Sequence, residues 1–168
     1  MHRQGLEQSG VYPGPNYVYK DMQDIKTSYI DAAGSTFLVA EYDGRVIGMG
    51  ACKPAQNPER AEIVRISVDS EHQGLGVGTR IQLELLKEAQ IMGYRYADLT
   101  TSVEQISAQV IYTKLGFKVP GLEILHKGDL TIPIIHFTGK IPDIIGYAAA
   151  RLQQWQHHQY FRTPGALF

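Results

Sequence analysis

The spacing of hydrophobic positions changes along the chain, and each spacing predicts a different element. Over residues 21–34, apolar residues recur every three or four positions, which predicts an amphipathic helix ending at Gly34. Two β-rich runs follow and flank Asp43 and Gly44, a dipeptide typical of a two-residue hairpin turn. The predicted face of the first helix consists of Met22, Ile25, Tyr29 and Ile30.

The middle of the chain has the pattern of a strand, a helix and a second strand. Residues 61–69 alternate as a strand, and a helix is predicted from about Thr79 to Met92, with Gly93 as its end. Residues 94–102 form the next strand, and a connection of this kind makes the two strands parallel. The strand face is predicted to be Glu62, Val64, Ile66 and Val68. The apolar stripe of the helix is predicted to be Ile81, Leu85, Leu86 and Ala89.

The last third of the chain predicts another helix, two strands and a helical tail. Ser102 begins the helix, and Gln105 three residues later completes a capping-box pattern. Two strands follow Gly116, and Pro133 indicates that the second lies at a sheet edge or contains a bulge. The apolar positions of the tail are Ile144, Ile145, Ala149, Leu152 and Trp155.

The composition of the chain indicates what class of protein it is, but says little about the reaction it could catalyse. The chain has 168 residues, of which 43% are hydrophobic and 20% charged, which suits one domain with a core. A formal net charge of -1 predicts no nucleic-acid partner, and Cys52, the single cysteine, can form no internal disulfide. There is no apolar run of about 20 residues and no secretory h-region. We therefore expect a cytoplasmic protein without membrane contact.

Residues 70–81, SEHQGLGVGTRI, contain three alternating glycines between a strand and a helix, where backbone N–H groups can meet an anion. The loop lacks the Lys-Ser or Lys-Thr of a P-loop. Its spacing, G-x-G-x-G, also departs from the dinucleotide fingerprint. A third pattern, Arg or Gln followed by x-x-G-x and then Gly or Ala, is matched by Gln73, Gly76 and Gly78.

Two segments together resemble the GNAT superfamily of acyl-CoA-dependent N-acetyltransferases. Residues 64–89, VRISVDSEHQGLGVGTRIQLELLKEA, resemble its acetyl-CoA motif. Residues 107–119, SAQVIYTKLGFKV, resemble its closing helix, typically N-x-x-A-x-x-x-Y-x-x-x-G-F; Ala108, Tyr112, Gly116 and Phe117 match. The resemblance covers about residues 37–139. It implies an α+β fold: a GNAT-like mixed, mostly antiparallel sheet with a central parallel, splayed strand pair, flanked by helices.

We accordingly divide the chain into three parts: an irregular N-terminal arm, residues 1–19; an N-acetyltransferase domain, residues 20–141; and a C-terminal helical tail, residues 142–168. The arm departs from the usual start of the family, a strand and two helices. Since that region helps to shape the acceptor pocket, the acceptor is not identified by the sequence. The tail either docks on its own sheet or forms a homodimer contact.

The resemblance implies acetyl-CoA as co-substrate, and we expect no metal, since a single cysteine argues against a Cys-based zinc site. Backbone near Ile66, Ser67 and Val68 would hold the pantetheine arm and polarise the thioester carbonyl. Gln105 occupies a position where the family often has Asn, so it would contact the CoA arm or a water. The pyrophosphate would lie against the glycine loop and the helix start, that is, Gln73, Gly74, Leu75, Gly76, Val77, Gly78 and Thr79.

For catalysis, Tyr112 matches the family's general acid, because a neutral phenol can protonate the leaving thiolate. Glu62 is the candidate base; Glu41, His126, His136 and a water-mediated route remain open, and each of these side chains has a purely structural alternative. His157 and His158 do not indicate a metal site.

We therefore expect an N-acetyltransferase that moves an acetyl group to a primary amine of a small molecule or peptide, by direct attack on the thioester. The alternative is a non-catalytic acyl-CoA-binding or sensor domain. A dinucleotide-dependent oxidoreductase is disfavoured by the glycine spacing.

Overall fold

A computed structural model of the chain describes residues 19–127 and 130–152. The strands are β1 Thr36–Tyr42, β2 Arg45–Pro54, β3 Arg60–Val68, β4 Tyr96–Ser102, β5 Lys118–Lys127 and β6 Leu130–Lys140. The α-helices are α1 Lys20–Gln23, α2 Val77–Ile91, α3 Ile106–Lys114 and α4 Ile141–Leu152. A π-helical turn at Lys26–Ile30 follows α1, and a 3₁₀ turn at Ser70–His72 precedes α2.

The strands form one six-stranded sheet in the order β1-β2-β3-β4-β6-β5. Every neighbouring pair is antiparallel except β3 and β4, which are parallel and are connected through α2. Asp43 and Gly44 both have positive φ in the turn between β1 and β2, as a two-residue hairpin requires. The predicted mixed sheet with one parallel pair is confirmed.

Helix α2 packs closely on β2, and two glycines make this approach possible. All four residues of its predicted stripe are buried, including Ile81 and Leu85. A Cβ built on Gly48 would lie 2.7 Å from Ile81 Cδ1, and one on Gly50 would lie 2.9 Å from Leu85 Cδ1. Any larger residue at either position would therefore collide with the helix. The alternation of glycines in this strand is a packing requirement of α2.

Strand β3 does not present the single face that its sequence predicts. Its register with β2 shifts so that Arg65 and Ile66 lie opposite one residue, Gly50. Arg65 has φ +60°, which marks a β-bulge. Ala61 and Ile63 lie in the core before the bulge, while Ile66 and Val68 pack against it afterwards. The predicted alternation through residues 62–68 is wrong, because the extra residue of the bulge exchanges the core-facing and outward-facing positions that follow it.

The predicted helix over residues 21–34 is also different in the structure. It is broken into α1 and the π-helical turn, and the carboxylate of Asp24 accepts the backbone N–H of Thr27 between them. Tyr29 is buried, whereas Ile30 is exposed. The segment ends at Gly34, whose φ of +72° is left-handed, as predicted.

The capping box at α3 is only half formed. Gln105 Oε1 accepts the backbone N–H of Ser102 at 3.2 Å, but Ser102 Oγ is buried and has no hydrogen-bond partner among the described residues. Helix α3 itself begins at Ile106, so Ser102 is the last residue of β4.

Pro133 does not mark an edge strand, because β6 lies between β4 and β5. Its neighbour Ile134 makes the last registered pair with β4, so the missing N–H of the proline lies just beyond that pairing. In α4, Ile144 and Ala148 are buried, while Ala149 is exposed, contrary to the predicted stripe. Trp155 lies outside the described residues, and so do most of the two terminal segments.

Candidate functional site

The parallel strands β3 and β4 part from each other and open a cleft. Only their first residues are in register: the pairs are Arg60–Tyr96, Ala61–Ala97 and Glu62–Asp98. Beyond these pairs the strands continue to Val68 and Ser102 without pairing with each other. The cleft has a volume of about 1030 Å³ and is lined by both strands, the glycine loop, α3 and part of α4. The expected splayed pair is therefore present.

An ion pair joins the strands at the closed end of the cleft. Arg60 donates from Nε and Nη2 to the carboxylate of Asp98, at 2.5 Å, and also to Thr138 on β6. The guanidinium lies 4.9 Å from the centre of the Tyr96 ring. Partial burial raises the pKa of Asp98, but the hydrogen bonds from Arg60 and Thr138 outweigh it, so the pKa lies below its ordinary value. This contact fixes the point from which the strands diverge.

The glycine loop presents free backbone donors at the start of α2. Gly74 and Gly76 have φ of +76° and +83°, a conformation that other residues adopt only with strain. Gly76 is the N-cap residue, and no side chain caps the helix. The first N–H groups, from Val77, Gly78 and Thr79, therefore have no intrahelical acceptor. Their dipoles make this end of the helix favourable for an anion.

The remaining residues predicted to bind acetyl-CoA differ in whether they line the cleft. Gln73 Nε2 donates to the carbonyl of Val68 at 3.3 Å, so this side chain ties the loop to the end of β3. Leu75 is exposed and is not among the residues that line the cleft. Ile66, Ser67, Val68 and Thr79 all line it.

Tyr112 lies between the cleft and the core. Its ring packs edge-on against Phe117 and Phe137, with centroids 6.2 and 5.2 Å away. The residue lines the cleft, and its hydroxyl has no hydrogen-bond partner among the residues that the structure describes. Burial raises the pKa of Tyr112 to about 12, so the phenol is neutral at pH 7.

The amide of Gln105 lines the cleft but is already engaged. Its Oε1 accepts hydrogen bonds from Thr101 Oγ1 at 2.8 Å and from the backbone N–H of Ser102. These contacts close the turn between β4 and α3. The amide oxygen of Gln105 therefore has a structural role in this turn that does not require a bound ligand.

The candidate bases do not line the cleft. Glu62 pairs with Lys53 at 3.0 Å, and Glu41 is exposed on β1. His136 contacts Glu123 at 2.7 Å across the β5–β6 pair, and His126 contacts Thr131. The role of Glu62 stays a prediction, but its route to a substrate would have to pass through water.

Some residues that line the cleft were not selected from the sequence. Arg65 and Tyr19 lie on one side, and His72, 3.1 Å from Asp69, lies beside the glycine loop. The three-residue spacing of Asp69 and His72 in the sequence could have indicated that these two side chains contact each other. Arg65 gave none, because a charged residue inside a strand is ordinarily assigned to the solvent face.

Among residues 19–127 and 130–152, no three His, Cys, Asp or Glu side chains lie together in a way that could hold a metal ion. In the same part of the chain, no helix has the length and apolar character needed to cross a membrane.

The sheet order, the parted parallel pair and the glycine loop before α2 define the GNAT acetyltransferase fold. The sequence profile of the family described as "Acetyltransferase (GNAT) family" matches residues 6–117. The chain therefore belongs to the GNAT acetyltransferase family. This confirms the resemblance inferred from the two motifs and places the chain in a family of acyltransferases, the class of enzyme that the sequence predicted.

Individual relatives agree with this assignment. N-acetyltransferase 8B of Homo sapiens is 34% identical over 128 residues, which cover 73% of this chain and 56% of that protein. The chain thus spans little more than half the length of this curated relative. A GNAT family acetyltransferase from Streptococcus pneumoniae superimposes with a TM-score of 0.66 at 18% identity, covering 83% of this chain and 87% of that one. A GNAT family acetyltransferase from Elizabethkingia anophelis, solved with acetyl-CoA bound, gives 0.57 at 19% identity, covering 72% and 82%.

Proposed function

We propose that the chain binds acetyl-CoA in the cleft between β3 and β4 and transfers its acetyl group to a primary amine of a small molecule or peptide. The observation that carries the proposal is the parted strand pair, which opens beside the uncapped start of α2. A pantetheine arm needs unpaired strand backbone, and a pyrophosphate needs free N–H donors. The acetyl-CoA-bound structure from Elizabethkingia anophelis and the name of the curated relative, N-acetyltransferase 8B, support the same choice.

The residues present fit such a donor. Between Ile66 and Val68, β3 has no partner on its β4 side, so its backbone groups can bind an extended arm as an added strand would. Gly76 and Gly78 leave the helix start open to a phosphate. Lys114 and Arg151 also line the cleft and add positive charge suited to a ligand with several phosphates.

The bound thioester supplies an activated acetyl group. A backbone N–H near Ile66, Ser67 or Val68 stabilises the negative charge that develops on its carbonyl oxygen, an effect often worth about 3–4 kcal/mol. The amine nitrogen forms the new C–N bond while the C–S bond breaks. Tyr112, whose phenol is neutral at pH 7, donates its proton to the departing sulfur and regains a proton from solvent.

The amine must also lose a proton. Because Glu62 and Glu41 do not line the cleft, we propose that water carries this proton away, with Glu62 as its eventual acceptor. This assignment predicts a modest effect for Glu62→Gln, since a water-mediated base contributes less than one in direct contact.

Ligand-dependent thermal unfolding tests the donor first. We expect CoA and acetyl-CoA to raise the melting temperature, and NAD and ATP to leave it unchanged, because ligand at 100 times its Kd stabilises by about 2.7 kcal/mol. Absence of a response to both CoA species would refute the proposal. Release of free thiol across a panel of amines then separates an enzyme from a sensor domain, which would bind without turnover. Tyr112→Phe should retain CoA binding and lose turnover.

A further inference from the structure

The bulge in β3 lies immediately before the backbone assigned to the thioester. Met49 pairs with Ser67 and Ala51 pairs with Val64, so Arg65 and Ile66 together oppose Gly50. Arg65 adopts φ +60° without being a glycine, a conformation that persists only where its surroundings hold it. The bulge at Arg65 and the pairing of Ser67 and Val68 with β2 together set the direction of the backbone groups from Ile66 onward.

The side chain of Arg65 is held by the N-terminal segment. Its Nε donates to Asp21 Oδ2 at 2.7 Å and its Nη2 donates to Asp21 Oδ1 at 2.9 Å, a two-pronged contact. Tyr29 donates its hydroxyl to the same carboxylate. The guanidinium also lies 4.5 Å from the centre of the Tyr19 ring.

This ion pair differs in its burial from the pair of Lys26 and Asp31 in the same segment. The side chains of Arg65 and Asp21 are only 24% and 26% exposed, whereas those of Lys26 and Asp31 are 69% and 54% exposed. Removing one partner of a largely buried pair leaves a charge that must move toward water or stay unpaired. An exposed pair can be lost with little consequence.

The hydrogen bonds around Asp21 keep its carboxylate ionised. Partial burial raises the pKa of Asp21, but the hydrogen bonds from Arg65 and Tyr29 outweigh it and leave this pKa below its ordinary value. Asp21 is therefore ionised at neutral pH, and the contact is an ion pair under assay conditions.

We propose that Asp21 and Arg65 are a positioning pair for acetyl transfer, which fixes the bulge of β3 and so aims the backbone from Ile66 to Val68 at the thioester. The inference rests on the proposed function. Neither residue is a catalytic group. Their contact links the start of the described chain to the reaction centre, 44 residues away in sequence.

Steady-state kinetics of Asp21→Asn and Arg65→Gln test the pair, with Asp31→Asn as the matched control on the exposed pair. We expect kcat to fall about 10- to 100-fold in both variants, because small misplacements of a reacting geometry have effects of this size. The KM for acetyl-CoA and the Kd for CoA should change by a smaller factor than kcat does, since the glycine loop is untouched and only the contacts of the pantetheine arm with β3 are disturbed. Asp31→Asn should match the wild type.

The double variant Asp21→Asn/Arg65→Gln should be no slower than the slower single variant, because both substitutions break the same contact. Fully multiplied losses would mean that the residues act separately and would overturn the proposal. A fall in melting temperature with unchanged kcat would also overturn it, since the pair would then be structural only.

Arg65→Gly separates the backbone from the side chain. Glycine accepts φ +60° without strain but cannot pair with Asp21. We expect Arg65→Gly to have the same low kcat as Arg65→Gln, because glycine permits the φ of +60° but no side chain then holds the bulge through Asp21. A wild-type kcat would show that the bulge needs no ion pair, and would refute the proposal.

Hydrogen exchange provides a readout that does not need turnover. In Asp21→Asn the backbone amides of Ile66, Ser67 and Val68 should exchange faster, while those of α2 should not change. Unchanged exchange at these amides would overturn the inference. If the wild-type protein fails to transfer acetyl groups, the proposed function fails, and the exchange result still decides whether the pair holds the bulge.

Discussion

Gly78→Ala separates ligand binding from folding at the start of α2. A Cβ built on Gly78 would lie 3.5 Å from Val68 Cγ2 and 3.6 Å from Ile111 Cδ1, which is ordinary van der Waals contact. The residue is helical, and alanine favours a helix over glycine by up to about 1 kcal/mol. We therefore expect the variant to fold with unchanged or slightly higher stability.

Binding should change in the opposite direction. The added methyl group lies at the helix start that the pyrophosphate would approach, so we expect the Kd for CoA to rise about tenfold, equivalent to about 1.4 kcal/mol. At a CoA concentration 100 times the wild-type Kd, ligand stabilisation would then fall from about 2.7 to about 1.4 kcal/mol. Calorimetric titration gives the Kd directly, and urea unfolding with and without CoA gives the stabilisation.

Gly146→Ala is the matched control. Gly146 is also helical, has open space around a built Cβ and is not among the residues lining the cleft. It should gain helix stability and leave the Kd for CoA unchanged. If Gly78→Ala binds CoA with the wild-type Kd, the pyrophosphate does not lie at this helix start. If the variant loses more than about 1 kcal/mol of stability, the space inferred around Gly78 is wrong.

Three further predictions concern the framework of the cleft. Gly48→Ala should lower the free energy of unfolding by about 1–3 kcal/mol, and Ile81→Val should partly restore it by removing the Cδ1 atom 2.7 Å from the new methyl group; chemical denaturation measures both. Asp98→Asn should cost about 1–2 kcal/mol, because Arg60 loses its charged partner at the closed end of the cleft. Burial raises the pKa of Tyr112 to about 12, so between pH 10 and 12 the unfolded chain loses the Tyr112 proton while the folded chain keeps it. The free energy of unfolding should therefore fall as the pH rises through this range, and it should fall less in Tyr112→Phe.

Each of these has an outcome that would contradict it. If Ile81→Val does not relieve Gly48→Ala, the helix does not set the limit at that position. If Asp98→Asn unfolds at the wild-type denaturant midpoint, the pair with Arg60 contributes nothing measurable. If the alkaline slope is the same with and without Tyr112, this phenol is not held neutral by burial.

The elements that the sequence predicts well are those whose signal is local. The turn at Asp43 and Gly44, the buried stripe of α2 and the stop at Gly93 follow from backbone preference and a 3.6-residue period. The glycine loop was found from its residue types and spacing, and Tyr112 from the resemblance of residues 107–119 to the closing helix of the GNAT family. The cleft lining includes both.

The misplaced elements are those that depend on contacts between distant segments. The alternation in β3 predicted one continuous face, but the contact of Arg65 with Asp21 and the pairing with Gly50 accompany a bulge that reverses it. Pro133 predicted an edge strand or a bulge; β6 is not an edge strand, because it lies between β4 and β5, and its pairing with β4 ends beside the proline. Neither result can be read from neighbouring residues, because each depends on a partner far away in the chain.

By itself the sequence determined the order of the elements, the glycine loop and the family, because each depends on residue type and short-range spacing. Only the tertiary structure decided where β3 and β4 part, which side chains line the gap, and that Glu62 lies outside it beside Lys53. The physical reason is that the register of parallel strands and the pairing of charges are set by the energy of the whole packed sheet. A local pattern records the preference of a segment for an element, but not the partner that the segment finds.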